Sequence, residues 1–594
     1  MLGSRRLMPN VPFRTTEAPN MAKRWVLAPP SPDAAAAAQR WRVSPIVAQL
    51  LINRGLAVDQ PCEEFLAPKL ASLHPPELLP GAAEAASLII EAVRAKTAIV
   101  LYGDYDVDGT AGVAILWHVL KAAGANVSYY VPHRVEEGYG LNLDAARRLI
   151  DQRAGLIISV DCGITSVEVA EAVRQTGAEL IITDHHAPHA TIPRAAAIVH
   201  PTVGGRCPNA DLCGAGVAFK VAWAIARGLA GAERVTPAFR TLLQELLSLA
   251  ALGTIADVVP MFGENRTIAW HGLAALVATS LPGLRALIDS AGLSGVRIEG
   301  YDIGFKLAPR LNAAGRMGHA QLTVELFTSA DQRRAEEIVL YLEDHNRARQ
   351  TAERKITKQA CEIVERDGLA LDSRRAIVIA AEDWHPGVIG IVAARLTERY
   401  RRPTVLIAMN NGQGQGSARS IRHFDLANAL ASCGDHLLAH GGHAMAAGLR
   451  IAADRVESFT RAFVEVANNR LTADDLVARL RLDASIQLAE LTLPTVESIL
   501  TLGPFGLGNA KPRFAADWVE LADEPRCVGQ RSEHLQAVFR QNGVVVRAIG
   551  FGLADIIEDL KEHRRCRLAF EPIINTFNGR RNVELQLIDL EFPP

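Results

Sequence analysis

"LYGDYDVDGT", residues 101–110, sets three aspartates directly after an apolar run. The run TAIVL (97–101) is typical of a buried β-strand. Asp104, Asp106 and Asp108 follow it on alternate positions, between two glycines. Carboxylates this close repel one another, and burial increases that cost. The stretch is therefore either a solvated acidic turn or one side of a cation site.

Two later strand ends repeat the pattern. "GLIISVD" ends in Asp161, and "ELIITDHH" ends in Asp184, His185 and His186. In open α/β sheets the functional crevice lies outside the carboxyl ends of the strands, so these groups are expected to converge if their strands are neighbours. "GTIADVVP" adds Asp257 from the end of a predicted buried helix.

The residue types in this set favour a cation over a series of separate turns. A single aspartate after a strand is most often a turn or N-cap residue. Four such groups at equivalent places are better explained by divalent cations that compensate the charge. Oxygen-rich ligands with one or two imidazoles suit Mn²⁺ or Mg²⁺ better than zinc, and paired ions of this kind hydrolyse phosphoesters.

Bulk composition places the chain among multidomain globular proteins. Its 594 residues are too many for one core, and 49% apolar with 22% charged residues is ordinary for a globular protein. A net charge of −2 gives no global sign of nucleic-acid binding, although local patches matter more than the total. Because there is no membrane-spanning apolar run, no secretory signal pattern and no CxxC pair, we expect a cytoplasmic protein without a membrane partner.

Strand and helix signals divide the chain into blocks. From about 95 to 225, apolar runs alternate with helical stretches, which predicts a doubly wound parallel sheet. Residues 331–366 are charged and free of glycine and proline, and they predict one long helix between two bodies. A second α/β block follows at about 375–409, and short strands beyond about 475 predict an OB-type β-barrel.

These motifs resemble those of the DHH phosphoesterase superfamily. "YGDYDVDG", "SVDCG", "TDHH" and "GTIADVVP" stand in the family's order, while "GSARS" and "GGHAMAAG" resemble its DHHA1 domain. "GPFGLGN" (503–509) resembles a signature of the RecJ exonucleases within it. The resemblance covers about residues 45 to 590 and, with the blocks above, predicts an α/β fold in these parts: an N-terminal helical extension at 41–94, a DHH catalytic domain at 95–325, a connecting helix at 326–370, a DHHA1 domain at 371–470 and an OB-fold-like nucleic-acid-binding domain at 471–594. The N-terminal residues 1–40, which carry no strong fold signal, are expected to be a disordered leader.

The resemblance also implies a metal and catalytic site. Two divalent cations, Mn²⁺ or Mg²⁺, would be held by Asp106, Asp108, Asp161, His185 and Asp257. Asp161 is the expected bridge, and Asp104 is either a ligand of the first ion or a neighbour of one. His186 would face the scissile phosphate, with Asp184 orienting the imidazole beside it. His443 would face the metals across the cleft, unless it is a structural histidine.

A further set of polar residues is expected to hold the DNA strand. It comprises Arg134, Arg310, Asn312, Arg316, Ser417 and Arg419. Ser417 and Arg419 belong to a glycine-rich segment that is expected to approach the terminal 5′-phosphate as a loop, the alternative being a flexible hairpin. A solvated loop is the alternative for the residues between 310 and 316. In the C-terminal block, basic residues beside Phe539, Phe551 and Phe577 suit base stacking, unless they are simple surface.

The function implied is a 5′→3′ exonuclease specific for single-stranded DNA, acting in recombination and repair and releasing 5′-mononucleotides. We expect a monomer, with a RecQ-type helicase and a single-strand-binding protein as partners. Two alternatives remain: a phosphodiesterase for short oligonucleotides or cyclic dinucleotides, and a non-catalytic replication scaffold. The scaffold would lack metal ligands, and all five are present here.

Overall fold

The computed structural model describes residues 23–133, 137, 140–205, 207–317 and 319–593. They form two compact units. One unit comprises the described residues within Met1–Leu66, Leu471–Gly503 and Ala510–Pro594, and the other those within Ala67–Arg470 and Pro504–Asn509.

The chain opens with short elements that precede the first sheet: β1 (Arg24–Leu27), α1 (Ala34–Trp41), α2 (Pro45–Asn53), α3 (Glu63–Leu66) and α4 (Ala82–Arg94). The disordered leader expected over 1–40 is therefore wrong for 24–27 and for 34–40, which belong to β1 and α1. Backbone pairing explains the first of these, because β1 pairs in parallel with residues 479–482. Residues 1–22 lie outside the described part of the chain.

Strands and helices alternate in the first α/β block, as predicted. The elements are β2 (Ala98–Gly103), α5 (Val107–Ala122), β3 (Asn126–Tyr130), α6 (Leu143–Asp151), β4 (Leu156–Val160), α7 (Val167–Gln175), β5 (Glu179–Thr183), β6 (Ala197–Val199), α8 (Gly214–Ala230) and α9 (Pro237–Ala256). The strands pair in parallel in the order β3-β2-β4-β5-β6.

Both faces of this sheet are covered by helices. On β2, Ile99 and Leu101 belong to the core shared with α4, α5, α8 and α9. Val100 and Tyr102 point to the opposite core, which α6 and α7 complete. The period of two follows from the pleat of a strand, and it confirms the doubly wound sheet. β3 pairs on one side of β2 and β4 on the other, so the order of the strands reverses at β2, and the carboxyl ends of β2 and β4 border the switch-point crevice.

Helices dominate the segment that follows: α10 (Gly263–Val277), α11 (Pro282–Ser290), α12 (Gly300–Asp302), α13 (Ala308–Met317), α14 (Gln321–Thr328) and α15 (Gln332–Arg366). A π-helical stretch, Ile303–Leu307, joins α12 to α13. The predicted long helix is confirmed as α15, whose N-cap Asp331 accepts a hydrogen bond from the N–H of Arg334.

The second α/β block contains β7 (Ile377–Glu382), α16 (Pro386–Tyr400), β8 (Thr404–Asn410), β9 (Gln413–Arg419), α17 (Leu426–Ser432), β10 (Ala439–Gly442), β11 (Ala446–Ala452) and α18 (Val456–Arg470). Its sheet order is β10-β11-β9-β8-β7. The first half of α15 packs in the first core through Ile338 and Leu342, and its second half packs in this one through Ile356 and Val364.

The glycine-rich segment is a strand that forms an antiparallel hairpin with β8, so the expected loop is wrong and the hairpin alternative is confirmed as an ordered sheet strand. β9 pairs on one side with β8 and on the other with β11. Its glycines are needed for packing: a Cβ at Gly414 would lie 2.5 Å from Ile407 Cγ2, and one at Gly416 would lie 2.6 Å from Leu449 Cδ1. Neighbouring side chains therefore fill the space over these two positions.

The C-terminal block contains β12 (Arg479–Leu482), β13 (Ala484–Ser485), α19 (Leu493–Leu500), β14 (Phe514–Leu521), β15 (Arg526–Val528), β16 (His534–Gln541), β17 (Val544–Gly550), α20 (Ile557–His563), β18 (Arg565–Phe577) and β19 (Arg580–Glu591). The order β14-β18-β19-β17-β16 closes because β14 also pairs with β16, which confirms the OB-type barrel. Phe539 is fully buried in it, so its expected stacking role is wrong, whereas Phe577 is 70% exposed.

Within the described residues, no single helix is long and apolar enough to cross a membrane. The bent pair Gly263–Val277 and Pro282–Ser290 passes that test by length and composition alone.

Lys220 on α8 forms a buried ion pair with Glu264 on α10, and both side chains are 2% exposed. We expect Lys220→Met to cost about 3–5 kcal/mol, because it leaves a buried carboxylate without its cation. Thermal denaturation would show a lower Tm. The double variant Lys220→Met/Glu264→Gln removes both charges and should recover most of the loss. Equal losses in the single and double variants would contradict the role of the charge.

Candidate metal centre

The loop after β2 buries its carboxylates because the backbone folds back onto them. Asp104 is 2% exposed. Asp106 caps α5, and its Oδ1 accepts hydrogen bonds from the N–H groups of Asp108 (2.9 Å) and Gly109 (3.1 Å). A Cβ at Gly109 would lie 2.8 Å from the backbone N of Asp104, so only glycine lets this turn close.

Asp108 is held by the N-terminus of α8. Its Oδ2 accepts a hydrogen bond from the N–H of Gly214 (2.6 Å), and its Oδ1 accepts one from Ala215 (2.9 Å). Unpaired N–H groups and the helix dipole both favour a carboxylate there. The sequence motif therefore connects two helices: Asp108 lies in the first turn of α5 and receives its hydrogen bonds from α8.

Asp161 is the first residue beyond β4 and has a φ of 64°, which is uncommon outside glycine but tolerated by aspartate. Its N–H donates to Thr183 O (2.9 Å) on the neighbouring strand. A Cβ at Gly214 would lie 2.5 Å from Asp161 Oδ1. Gly214 thus supplies an N–H to Asp108 and leaves room for Asp161.

His185 lies at the centre of the cluster. Its Nε2 is 3.1 Å from Asp161 Oδ1, 3.7 Å from Asp257 Oδ2 and 3.8 Å from Asp108 Oδ2. Asp257 follows α9, so the end of the helix brings a fourth segment to the switch-point crevice. Four segments far apart in sequence therefore converge within a few ångströms, as the strand ends predicted.

His186 is turned toward Asp184. Its Nδ1 lies 2.8 Å from Asp184 Oδ1, which also accepts the N–H groups of His185 (2.7 Å) and His186 (3.1 Å). The other oxygen of Asp184 accepts from Ile164 N–H (2.9 Å), and His200 Nε2 lies 2.8 Å from His186 O. Asp184 therefore orients the imidazole of His186.

Crowding of buried charge dominates the electrostatics of the cluster. Burial, and then the charges of Asp108 and Asp106, raise the pKa of Asp257 to about 8 and raise the pKa of Asp161 well above its usual value. Burial and the charge of Asp108 also raise the pKa of Asp106. These carboxylates oppose one another's ionisation, which is the situation that a bound cation relieves.

The two histidines differ in charge. Burial lowers the pKa of His185, which favours the neutral form that ligates metals. Burial alone would also lower the pKa of His186, but the hydrogen bond and charge of Asp184, with the charges of Asp104 and Asp257, raise it to about 9. His186 is therefore cationic at neutral pH.

The donor set fits divalent cations. Asp161 Oδ1 and His185 Nε2 are buried and close together, yet neither makes a hydrogen bond within the described part of the chain. Two buried atoms that lie this close together without a hydrogen bond are positioned like two ligands of one metal ion. Three groups of side chains bring their ligand atoms within 4.8 Å of one another: Asp104 with Asp106 and Asp161; Asp108 with His185 and Asp257; Asp161 with His185 and His186.

Helix α13 connects this cluster with the second α/β block. Asn312 Oδ1 accepts a hydrogen bond from Val107 N–H (3.1 Å), beside the aspartates. Arg316 Nη1 donates to Gly387 O (3.1 Å) at the start of α16. Arg310 Nε lies 2.6 Å from Glu343 on α15. The solvated-loop alternative is wrong, because the segment is helical and cross-linked to three others.

Ser417 and Arg419 lie together at the end of β9. Arg419 Nη1 donates to Ser417 Oγ (3.1 Å). A Cβ at Gly390 on α16 would lie 2.9 Å from that Oγ and 3.1 Å from Arg419 Nη2. His443 is exposed in the turn between β10 and β11 and belongs to none of the three ligand groups above. Arg134 lies outside the described residues.

Sequence reasoning missed the glycines that shape the site. Gly109 closes the turn over Asp104, Gly214 makes room for Asp161, and a Cβ at Gly253 would lie 2.5 Å from Asp108 Oδ1. The sequence carries a signal for two of them. Gly214 lies in "CGAG" (213–216), just before an apolar run, and Gly253 lies in "LGT" (252–254), a few residues before Asp257. Their contacts join segments that are far apart along the chain.

Comparisons with known proteins agree with the geometry. A model of the N-terminal domain of the DHH family matches residues 98–254, one of the DHHA1 domain matches 374–469, and one of the RecJ OB domain matches 482–589.

Relatives and solved structures extend the likeness to almost the whole chain. A protein of Bacillus subtilis named single-stranded-DNA-specific exonuclease RecJ is 36% identical over 570 residues, 95% of this chain and 70% of its own. One of that name from Haemophilus influenzae is 33% identical over 88% of this chain and 92% of its own. The crystal structure of RecJ from Thermus thermophilus with Mn²⁺ has a TM-score of 0.82 at 33% identity, over 96% of this chain and 80% of its own. Its complex with Mg²⁺ has a TM-score of 0.76 at 31% identity, over 96% and 79%. The chain belongs to the RecJ family of DHH phosphoesterases.

Proposed function

We propose that this protein is a 5′→3′ exonuclease specific for single-stranded DNA, which releases 5′-mononucleotides by metal-dependent hydrolysis. The observation that carries the proposal is the pair of separate ligand groups at the switch point, one with Asp104, Asp106 and Asp161 and one with Asp108, His185 and Asp257. The likeness to RecJ proteins that contain Mn²⁺ or Mg²⁺ supports the same chemistry.

Two cations, Mn²⁺ or Mg²⁺, would occupy these groups. Asp161 would contact both, since it belongs to the first group and its Oδ1 lies 3.1 Å from His185 of the second. When bound, such ions supply an activated water and neutralise charge on the phosphoryl and leaving oxygens. Asp108 would bind with its position set by α8, because both its oxygens already accept backbone N–H groups.

His186 would act on the phosphate through its charge. The contact of its Nδ1 with Asp184 leaves Nε2 as the atom that faces the substrate, and the hydrogen bond and charge of Asp184 raise the pKa of the ring. A cationic donor there stabilises negative charge that develops on the non-bridging oxygens. Asp184 positions the ring and maintains its charge.

The 5′ end of the strand would be held by the second α/β block. Ser417 and Arg419 present a hydroxyl and a guanidinium side by side, which suits a terminal phosphate. Asn312 and Arg316, which join this block to the metal loop, would line the path between the two. Arg134 and Arg310 remain proposed contacts to the substrate, and His443 remains a proposed catalytic residue that faces the metals across the cleft.

The cellular setting is proposed on the same basis. A nuclease that needs single strands depends on an activity that opens duplexes and on proteins that coat the product. We propose action in DNA recombination and repair in the cytoplasm, as a monomer, together with a RecQ-type helicase and a single-strand-binding protein.

A direct test compares 5′-phosphorylated single-stranded and blunt duplex DNA, with Mn²⁺ and with EDTA. We expect mononucleotides to appear from the single strand only, starting at the 5′ end, and only with metal. Asp161→Asn should lower the rate at least about 1,000-fold, because a neutral amide removes charge shared by both cation positions. Digestion limited to di- to pentanucleotides would instead indicate the oligonucleotide phosphodiesterase, and metal-independent binding without cleavage would indicate a scaffold.

Gly214→Ala tests the metal assignment without removing a ligand. The new Cβ would lie 2.5 Å from Asp161 Oδ1, so Asp161 must move from its position beside His185. We expect Mn²⁺ affinity, measured by calorimetry, to fall about 10-fold or more, and the rise in Tm caused by Mn²⁺ to shrink. Gly304→Ala, where a Cβ would meet nothing within 4 Å, is the matched control. Unchanged Mn²⁺ affinity in Gly214→Ala would contradict the assignment.

Arg419→Lys tests the 5′-phosphate contact. A lysine keeps the charge but loses the planar fork, so KM should rise about 10-fold for a 5′-phosphorylated strand and much less for a 5′-hydroxyl strand. Gly390→Ala should have the same selective effect, because its Cβ would displace both Ser417 and Arg419. Arg461→Lys, on an exposed position of α18, is the control. An equal rise in KM for both strands would show that Arg419 does not read the terminal phosphate.

A further inference from the structure

Two aromatic rings lie stacked and exposed on the helix that leads to the metal centre. The centroids of Tyr301 and Phe305 are 4.6 Å apart with 26° between the ring planes. Tyr301 is 39% exposed and Phe305 is 56% exposed. Single exposed apolar side chains are ordinary in proteins, but a stacked pair of large rings in solvent offers a flat, preformed π surface.

The pair is mounted on an unusual stretch of backbone. Residues 303–307 form a π-helix between α12 and α13. π-Helical turns are rare and are frequently found at functional sites. Gly300, at the start of α12, lies against the end of α9 and the segment 504–509, because a Cβ there would be 3.0 Å from Phe505 O and 4.0 Å from Ile255 Cγ2.

The rings lie on the helical segment that continues into α13, which touches the metal loop. The neighbour of Tyr301, Gly300, would place a Cβ 4.0 Å from Ile255 Cγ2, two residues before Asp257. Asn312 accepts a hydrogen bond from Val107 N–H, between Asp106 and Asp108.

We propose that Tyr301 and Phe305 form a stacking platform for the bases of the single strand whose 5′ end is in the metal centre. This inference rests on the proposed exonuclease function. A base can stack on an aromatic face whatever its identity, so the platform binds without reading sequence. It would also favour single strands, because in a duplex the base faces are already covered by their neighbours.

The charges beside the rings agree with a base as the occupant. Lys306 is paired with Asp302 (2.7 Å) and Arg310 with Glu343 (2.6 Å). Two further apolar side chains are exposed. Val258, which is 60% exposed, follows the proposed metal ligand Asp257, and Leu507, which is 53% exposed, lies two residues after Phe505, whose carbonyl faces Gly300. Exposed apolar side chains therefore lie along the chain next to a metal ligand and to the segment against Gly300, while Ser417 and Arg419, the proposed 5′-phosphate contacts, lie on β9.

The test compares two 5′-phosphorylated strands of equal length, one with all its bases and one abasic from the second nucleotide onward. For the normal strand, Phe305→Ala should raise KM about 10-fold and Tyr301→Ala/Phe305→Ala should raise it further, with a smaller change in kcat. The abasic strand should bind weakly to the unchanged protein already, with no further loss in the variants. Phe305→Trp should keep the normal KM. Leu371→Ala, at a position 63% exposed and remote in sequence, is the control.

Binding of both strands by fluorescence anisotropy in EDTA repeats the comparison without hydrolysis. If the unchanged protein digests neither strand, the proposed function fails, and the anisotropy data still decide whether the rings bind bases. An equal loss of affinity for normal and abasic strands would overturn the platform, because it would mean a contact to the backbone or a change of structure. Unchanged affinity for the normal strand in the double variant would also overturn it and would point to a protein as the occupant.

Discussion

Repulsion among buried carboxylates at the switch point between β2 and β4 is the constraint on which the site depends. Burial and neighbouring charges raise the pKa values of Asp106, Asp161 and Asp257 together, so the cluster is unfavourable without positive charge. Two kinds of charge are provided by the protein itself: the N-terminus of α8, which holds Asp108, and the imidazolium of His186, which balances Asp184. Divalent cations among the remaining oxygens would complete the balance, so metal binding is expected to stabilise the local fold.

The doubly wound sheet is what makes this concentration of charge possible. In a parallel sheet with helices on both faces, the carboxyl ends of all strands lie at the same edge. The helices already bury the apolar faces of the sheet, so the loops at this edge can carry charged residues. Each strand end then carries a loop that can be closed by backbone N–H groups, as at Asp106 and Asp184. The carboxylates are consequently held in position by the backbone of the elements that carry them.

Sequence patterns predicted the elements well because periodicity and strand-end chemistry are local. The parallel sheet, the long helix α15, the barrel strands and the convergence of Asp161 with His185 all followed from them. Contacts between distant segments were not predictable, such as the space that Gly214 leaves for Asp161 or the β9 strand formed by a glycine-rich stretch. Phe539 shows the same limit, since an aromatic residue on an alternating strand faces core or solvent according to a register that a single strand does not reveal.

Helix α15 relates the proposed phosphate residues to the metal centre. Its first half packs in the core that carries the aspartates, and its second half packs in the core of the second α/β block. Glu353 on this helix is paired both with Arg349 (2.7 Å) and with Arg395 of α16, the helix against which Ser417 and Arg419 lie. A loop in this place would let the two blocks drift, whereas a helix shared by both cores holds them at one separation. An exonuclease that removes one nucleotide per cycle needs such a constant distance between the bound 5′-phosphate and the hydrolysed bond, so the rigidity of α15 would set the size of the product.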